Sequence, residues 1–128
     1  MTQIAIFWFR RDLRVHDNKG FLAALQSGLQ VLPIFIFDKN ILAELPKYDR
    51  RVDLILQALM HMQKQFNPSG SSLLCIHDTP LQAFQTLIGQ FAVQKVFTNH
   101  DYEPYARKRD TEIEDFLRSK QIEFLTFK

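Results

Sequence analysis

Five short runs of consecutive apolar residues recur along the chain, and between them the sequence switches to a helical period. Ile4–Phe9, Val31–Phe37, Ser72–His77, Lys95–Asn99 and Ile122–Phe127 are rich in Ile, Val, Phe and Leu. A strand with one wet face alternates apolar and polar residues, whereas a strand apolar at successive positions needs cover on both sides. These runs therefore predict buried strands of a parallel sheet. The segments between them supply the cover. Asp17 or Asn18 can cap a helix presenting Phe21, Leu22 and Leu25, with Gly28 placed as a helix-ending glycine. From about Asp49 to Phe66, the residues Val52, Ile55, Leu56, Leu59, Met62 and Phe66 fall on one face. Thr79-Pro80-Leu81-Gln82 is a capping box with proline at the first helical position, opening a helix that presents Leu81, Phe84, Leu87, Ile88 and Phe91. A last stripe, Ala106, Ile113, Phe116 and Leu117, lies in Glu103–Lys120.

Strand and helix alternating through five strands predict an α/β fold: a doubly wound five-stranded parallel sheet of order 3-2-1-4-5, a Rossmann-like three-layer sandwich. The 128 residues make one domain, 1–128. Twelve Phe against four Gly and five Pro load it with large core side chains. A chain of this size buries roughly two-thirds of its unfolded surface and needs no staples. It stops at Thr126-Phe127-Lys128 directly after the fifth strand, with no closing helix, as expected of a domain cut from a longer protein.

Composition removes several classes of function. Sixteen basic and fourteen acidic residues leave a formal charge of +2, too small to argue for nucleic acid by itself. The single cysteine excludes an internal disulfide and a cysteine-based zinc cluster, and it fits a reducing cytoplasm. No apolar run approaches the roughly 18 residues of a membrane span. The apolar stretch of the amino terminus precedes its arginines, the reverse of a signal peptide. Gly20, Gly28, Gly70 and Gly89 form neither a dinucleotide fingerprint nor a Walker loop. His16, His61, His77 and His100 lack metal-ligand spacing, and Cys75, inside an expected strand, reads as an inert buried thiol.

In a doubly wound sheet, ligands settle beyond the carboxyl ends of the strands where strand order reverses, here between the first and fourth strands. The first strand exits into Arg10-Arg11-Asp12-Leu13-Arg14, the second at Phe37-Asp38, and the fourth into Asn99-His100-Asp101-Tyr102-Glu103. Arginines, carboxylates and aromatics thus converge on one crevice. Such a lining suits a planar heteroaromatic ligand, with aromatic walls for area and charged groups for its polar edges.

W-F-R-R-D-L-R-V-H-D-N at 8–18 looks like the opening signature of the DNA photolyase and cryptochrome family, and N-H-D-Y-E-P-Y-A-R-K-R-D at 99–110 resembles that family's second amino-terminal signature. The spacing between them also matches, including Phe35-Ile36-Phe37-Asp38 and the Arg50-Arg51 pair at the start of a long helix. The resemblance spans essentially the whole chain. It implies the amino-terminal, light-harvesting-chromophore domain of a deoxyribodipyrimidine photolyase, cytoplasmic, with no catalysis of its own. The carboxyl-terminal helical domain, which binds FAD and grips damaged DNA in the full-length protein, is absent from this chain and is its expected partner; no membrane is implied. The alternatives are the same domain of a cryptochrome, or a nucleotide-binding α/β domain without a chromophore.

Carried over position by position, the resemblance puts Arg11 and Arg51 beside the chromophore ring or its substituents. It gives Phe35, Ile36 and Phe37 as the ring's bed and Asp38 as its rim. Asp101 accepts hydrogen bonds from the polar edge, with Glu103 and Arg109 nearby. Folate-binding members carry Asn-Glu where this chain has Tyr105-Ala106, which favours a deazaflavin or FMN-like antenna over folate or an empty site. Plainer readings exist for the same residues. Arg10, Arg11 and Arg14 can form a solvated cluster with Asp12 and Asp17, and Asp101 can cap the following helix. Phe35, Phe37 and Trp8 can be core. Arg107-Lys108-Arg109, interleaved with acids, can be a solvated helix face.

Overall fold

The computed structural model describes residues 3–10, 18–38, 50–66, 72–100 and 104–127, of which 50–53, 104 and 105 are described in backbone only. Five strands alternate with four helices among them: β1 (Gln3–Phe9), α1 (Lys19–Leu25), β2 (Gln30–Asp38), α2 (Arg50–Phe66), β3 (Leu74–Asp78), α3 (Pro80–Gln90), β4 (Ala92–Asn99), α4 (Pro104–Ser119) and β5 (Glu123–Phe127). The strands form one sheet in the order β3-β2-β1-β4-β5, all pairs parallel, as the sequence predicts. No helix among the described residues is long and apolar enough to cross a membrane.

The consecutive apolar residues of β1 are explained by the two cores they divide. Ala5, Phe7 and Phe9 join Phe21 and Ala24 of α1 and Leu59, Met62 and Phe66 of α2. Ile4, Ile6 and Trp8 join Ala83, Phe84 and Leu87 of α3 and Ile113 and Leu117 of α4. The first core is built on phenylalanine edges: Phe7 meets Phe9 at 4.6 Å and Phe21 at 5.4 Å, and Phe66 meets Phe21 at 5.9 Å. Such edge-to-face pairs are worth about 0.5–1.5 kcal/mol each beyond the area they bury.

Three expectations are corrected. β3 and β5 are the outer strands, so they lack cover on one edge and are only partly buried. Cys75 on β3 is consequently exposed rather than buried. α1 turns Gly20, Phe21 and Ala24 inward, leaving Leu22 and Leu25 each 54% exposed, and on α2 Leu56 also faces out.

Helix ends follow local chemistry. Asn18 is the N-cap of α1, its side chain accepting from Phe21 N at 2.9 Å. Thr79 caps α3, with Pro80 in the first turn. Gly28 takes the left-handed conformation, φ 82°. At the end of α4, Gln121 occupies that region with φ 61°. There Ile122 N donates to Leu117 O at 2.9 Å and Gln121 N to Arg118 O at 3.0 Å, the paired bonds of a Schellman ending.

Candidate functional site

β1 delivers Trp8 and Arg10 to the carboxyl edge of the sheet. Trp8 is 1% exposed and meets the edge of Phe84 at 5.2 Å. Its backbone carbonyl accepts from Thr98 Oγ1 on neighbouring β4, at 2.8 Å, so a buried hydroxyl is satisfied where the two central strands meet. Arg10 extends over the indole, its guanidinium carbon 4.9 Å from the ring centroid, and Arg109 of α4 brings a second guanidinium to 5.0 Å.

A buried guanidinium carries a desolvation penalty of several kcal/mol unless its donors are met. Arg10 is 6% exposed at its side chain, and it donates through Nη1 to Asp110 Oδ1 at 2.5 Å and through Nη2 to the carbonyl of Asn99. Arg109 Nε lies 3.7 Å from the same carboxylate. The indole face adds a cation–π contact, which strengthens when water is excluded. The Nε of Arg10 is buried with no hydrogen-bond partner among the described residues.

The end of β4 is also tied to the start of α1. Asn99 Oδ1 accepts from Gly20 N at 3.0 Å, while its Nδ2 donates to Asn18 Oδ1 at 2.7 Å. The same Asn18 oxygen caps α1, so one side chain joins cap, strand end and helix start. His100 N then donates to Phe127 O at 2.7 Å, closing β4 onto β5.

The expected site residues distribute unevenly. Phe35 packs in the α1–α2 core and Ile36 in the α3–α4 core, because successive strand residues face opposite ways. Phe37 is half-buried and meets Phe35 edge-on at 4.9 Å. Asp38 ends β2, buried, beside Asp78 of β3 in the register. A group resting on the strand ends would therefore meet Phe37 and Asp38 before Phe35 or Ile36. Arg109 is held against Trp8. It also lines an open groove of about 390 Å³ between the start of α3 and α4, with Thr79, Gln82 and Lys108. Arg51 lies in the first turn of α2, its side chain outside the described residues, as are Arg11, Asp101 and Glu103.

Two readings change. Arg10 is not part of a solvated cluster: it is buried and pairs with a residue 100 positions away. The run Arg107-Lys108-Arg109 divides, the first two exposed and Arg109 turned inward with 13% of its side chain exposed. Sequence reasoning did not single out Asn99 or Asp110 as a tie and a counter-charge. The available signal was that they are the first and last residues of the 99–110 motif.

The family model for DNA photolyase matches residues 5–128 of the chain. A deoxyribodipyrimidine photo-lyase of Synechococcus is 33% identical over 122 residues, covering 95% of this chain and 25% of that protein. Cryptochrome-1 of Anopheles gambiae is 28% identical, covering 95% of this chain and 24% of its own length. The chain thus spans about a quarter of the length of these curated relatives. Among solved structures, an archaeal photolyase from Sulfolobus tokodaii, described with two FAD molecules and a novel light-harvesting cofactor, has a TM-score of 0.88 at 28% identity, covering 97% of this chain and 29% of that one.

Proposed function

Because this chain belongs to the DNA photolyase family, we propose that it is the amino-terminal α/β domain of a light-driven repair enzyme and holds a light-harvesting chromophore at the carboxyl edge of its sheet. The observation that carries this reading is the likeness, over nearly the whole chain, to an archaeal photolyase with a second FAD. The family match also takes the place of the general nucleotide-binding alternative.

The residues at that edge suit such a group. Arg10 Nε is a buried donor with no acceptor among the described residues, Phe37 offers a half-buried ring, and Asp38 supplies a carboxylate at the end of β2. Arg11, Arg51, Asp101, Glu103 and Arg109 complete the proposed set, with Phe35 and Ile36 supporting the strand end from the two cores. When bound, the chromophore supplies light absorption and passes its excitation to FAD in a helical domain of the full-length protein, where damaged DNA is repaired. This chain's own task is placement. The Arg10–Asp110 pair and the Asn99 ties hold the crevice walls, and energy transfer depends steeply on distance and orientation. A flavin or deazaflavin fits better than a folate, since Ala106, 1% exposed, offers no carboxylate where folate-binding members carry Glu.

Titration of this chain and of the full-length protein with FMN, a deazaflavin and a reduced folate, followed by absorption and fluorescence, tests the reading. A saturable spectral shift with a flavin or deazaflavin is expected, weakened by Asp101→Asn; absence of any shift in both proteins overturns it. The match to an insect cryptochrome keeps a second reading, a blue-light signalling protein. Restoration of dimer-containing DNA by the full-length protein under blue light favours repair, and no restoration favours signalling.

A further inference from the structure

We propose that Arg10 and Arg109 hold Trp8 as a poor electron donor, so that energy absorbed at the crevice leaves as excitation and is not lost through the indole. The inference rests on the chromophore-binding reading and goes beyond it, by assigning a role to two cations and a tryptophan that placement alone does not require.

A photo-excited flavin-type ring is a strong one-electron oxidant, and an indole is the side chain it oxidises most readily. In that step one electron leaves Trp8, giving its radical cation, and enters the excited ring, which is reduced by one electron; the excitation is spent. Trp8 is the only tryptophan in the chain and the penultimate residue of β1, the strand whose carboxyl end frames the crevice. Left alone, it would compete with energy transfer.

Two guanidinium groups flank this ring. Guanidinium carbons lie 4.9 and 5.0 Å from its centroid, Phe84 closes on it edge-first at 5.2 Å, and the residue is 1% exposed. Water is therefore poorly placed to stabilise a positive ring, and two cations oppose one. At an effective dielectric constant of about 20, a unit charge roughly 5 Å away moves a one-electron equilibrium by roughly two orders of magnitude. Asp110 offsets part of this field for both cations, its Oδ1 lying 2.5 Å from Arg10 Nη1 and 3.7 Å from Arg109 Nε.

The test uses Arg109→Gln, which removes one charge, beside Arg109→Lys, which keeps it. Oxidation of Trp8 is titrated against soluble one-electron oxidants of graded strength and read at the indole radical's own absorption, which tyrosyl radicals do not share. Arg109→Gln should be oxidised by weaker oxidants than the parent, by roughly one to two orders of magnitude in the equilibrium, and Arg109→Lys should stay close to the parent. An unchanged Arg109→Gln, or a Lys variant shifted as far as the Gln variant, overturns the proposal, since the latter marks lost packing and not lost charge. In protein loaded with FMN or a deazaflavin, Arg109→Gln should shorten the emission lifetime and Trp8→Phe in the same chain should restore it; an unshortened lifetime overturns the protective role. Failure of both compounds to bind either this chain or the full-length protein overturns the flavin-type reading, and with it the protective role, while the oxidation titration still decides whether the guanidinium charge governs Trp8.

Discussion

Adding one methyl group at Gly20 should weaken the fold and loosen the crevice together. A Cβ there would lie 2.6 Å from Asn99 Oδ1 and 2.9 Å from a Phe7 ring carbon, both closer than side chains tolerate. Neither neighbour gives way freely. Asn99 is held by its bonds to Gly20 N and Asn18 Oδ1, and Phe7 is fully buried between Phe9 and Phe21. Overpacking of this kind costs about 1–3 kcal/mol, and loss of the Asn99–Gly20 bond adds about 1 kcal/mol. The better helix propensity of alanine returns about 0.8–1 kcal/mol. Gly20→Ala should therefore destabilise the chain by about 2 kcal/mol, a Tm fall of about 8 °C for a domain of this size. Urea unfolding followed by Trp8 fluorescence measures it. Combining the change with Asn99→Ala removes one of the two clashes, so the double variant should be more stable than the sum of the singles by at least about 0.5 kcal/mol. A Gly20→Ala chain as stable as the parent, or an additive double variant, refutes the close approach of α1 to the end of β4.

Three further outcomes follow from particular contacts. Asp110→Asn leaves the buried Arg10 without its carboxylate and should cost about 3 kcal/mol in urea unfolding; a loss below about 1 kcal/mol would show that the pair is solvated. Gln121→Gly relieves a left-handed residue in the Schellman ending of α4 and should stabilise by about 0.5–1 kcal/mol, the strain relieved exceeding the entropy that glycine adds to the unfolded chain; an unchanged or lower urea midpoint argues against it. Desolvation by partial burial raises the pKa of the Cys75 thiol above its ordinary value even though the residue is exposed. The neutral thiol is favoured in the fold, so alkylation by iodoacetamide near pH 8 should be slower than in the urea-unfolded chain, and the gap should close as pH rises past the folded value. By the same linkage, this group's contribution to stability is full below the ordinary thiol range and is lost as pH climbs through the raised value; equal alkylation rates at pH 8 would contradict the shift.

How far the fold was legible depended on which force set each element's orientation. β1 could be read directly because both faces are covered, and only apolar side chains fit on either. The apolar run of β3 predicts a strand equally buried, but β3 lies at the sheet edge, and Ser72 and the polar His77 in that run are the sign of it. α1 misled for a different reason. Its large residues, Leu22 and Leu25, suggested the inward face, whereas the small pair Gly20 and Ala24, four residues apart, faces the sheet. The helix lies so close to Phe7 and Asn99 that backbone approach, and not side-chain area, selects its rotation. A glycine and an alanine at helical spacing carry that information, but they weigh little in a reading that counts apolar bulk.

The site resisted for a reason of distance along the chain. Arg10 and Asp110 are 100 residues apart, and Gly20 and Asn99 are 79 apart, so no local period relates them. What the sequence did offer was two dense motifs, and their described residues suggest what such density encodes. Trp8, Arg10 and Asn18 come from the first, while Asn99, Arg109 and Asp110 come from the second. Each of the first three touches one of the second: the indole faces Arg109, the guanidinium pairs with Asp110, and the cap oxygen accepts from Asn99. Before any ligand is considered, the two motifs form one interlocked contact that fixes the end of β1 to α4 and the end of β4 to the start of α1. A residue in such a motif can therefore serve the frame without touching a ligand. Arg10 belongs to the frame by its pairing with Asp110, and its buried Nε, without a hydrogen-bond partner among the described residues, is the donor that the proposed chromophore reading would use.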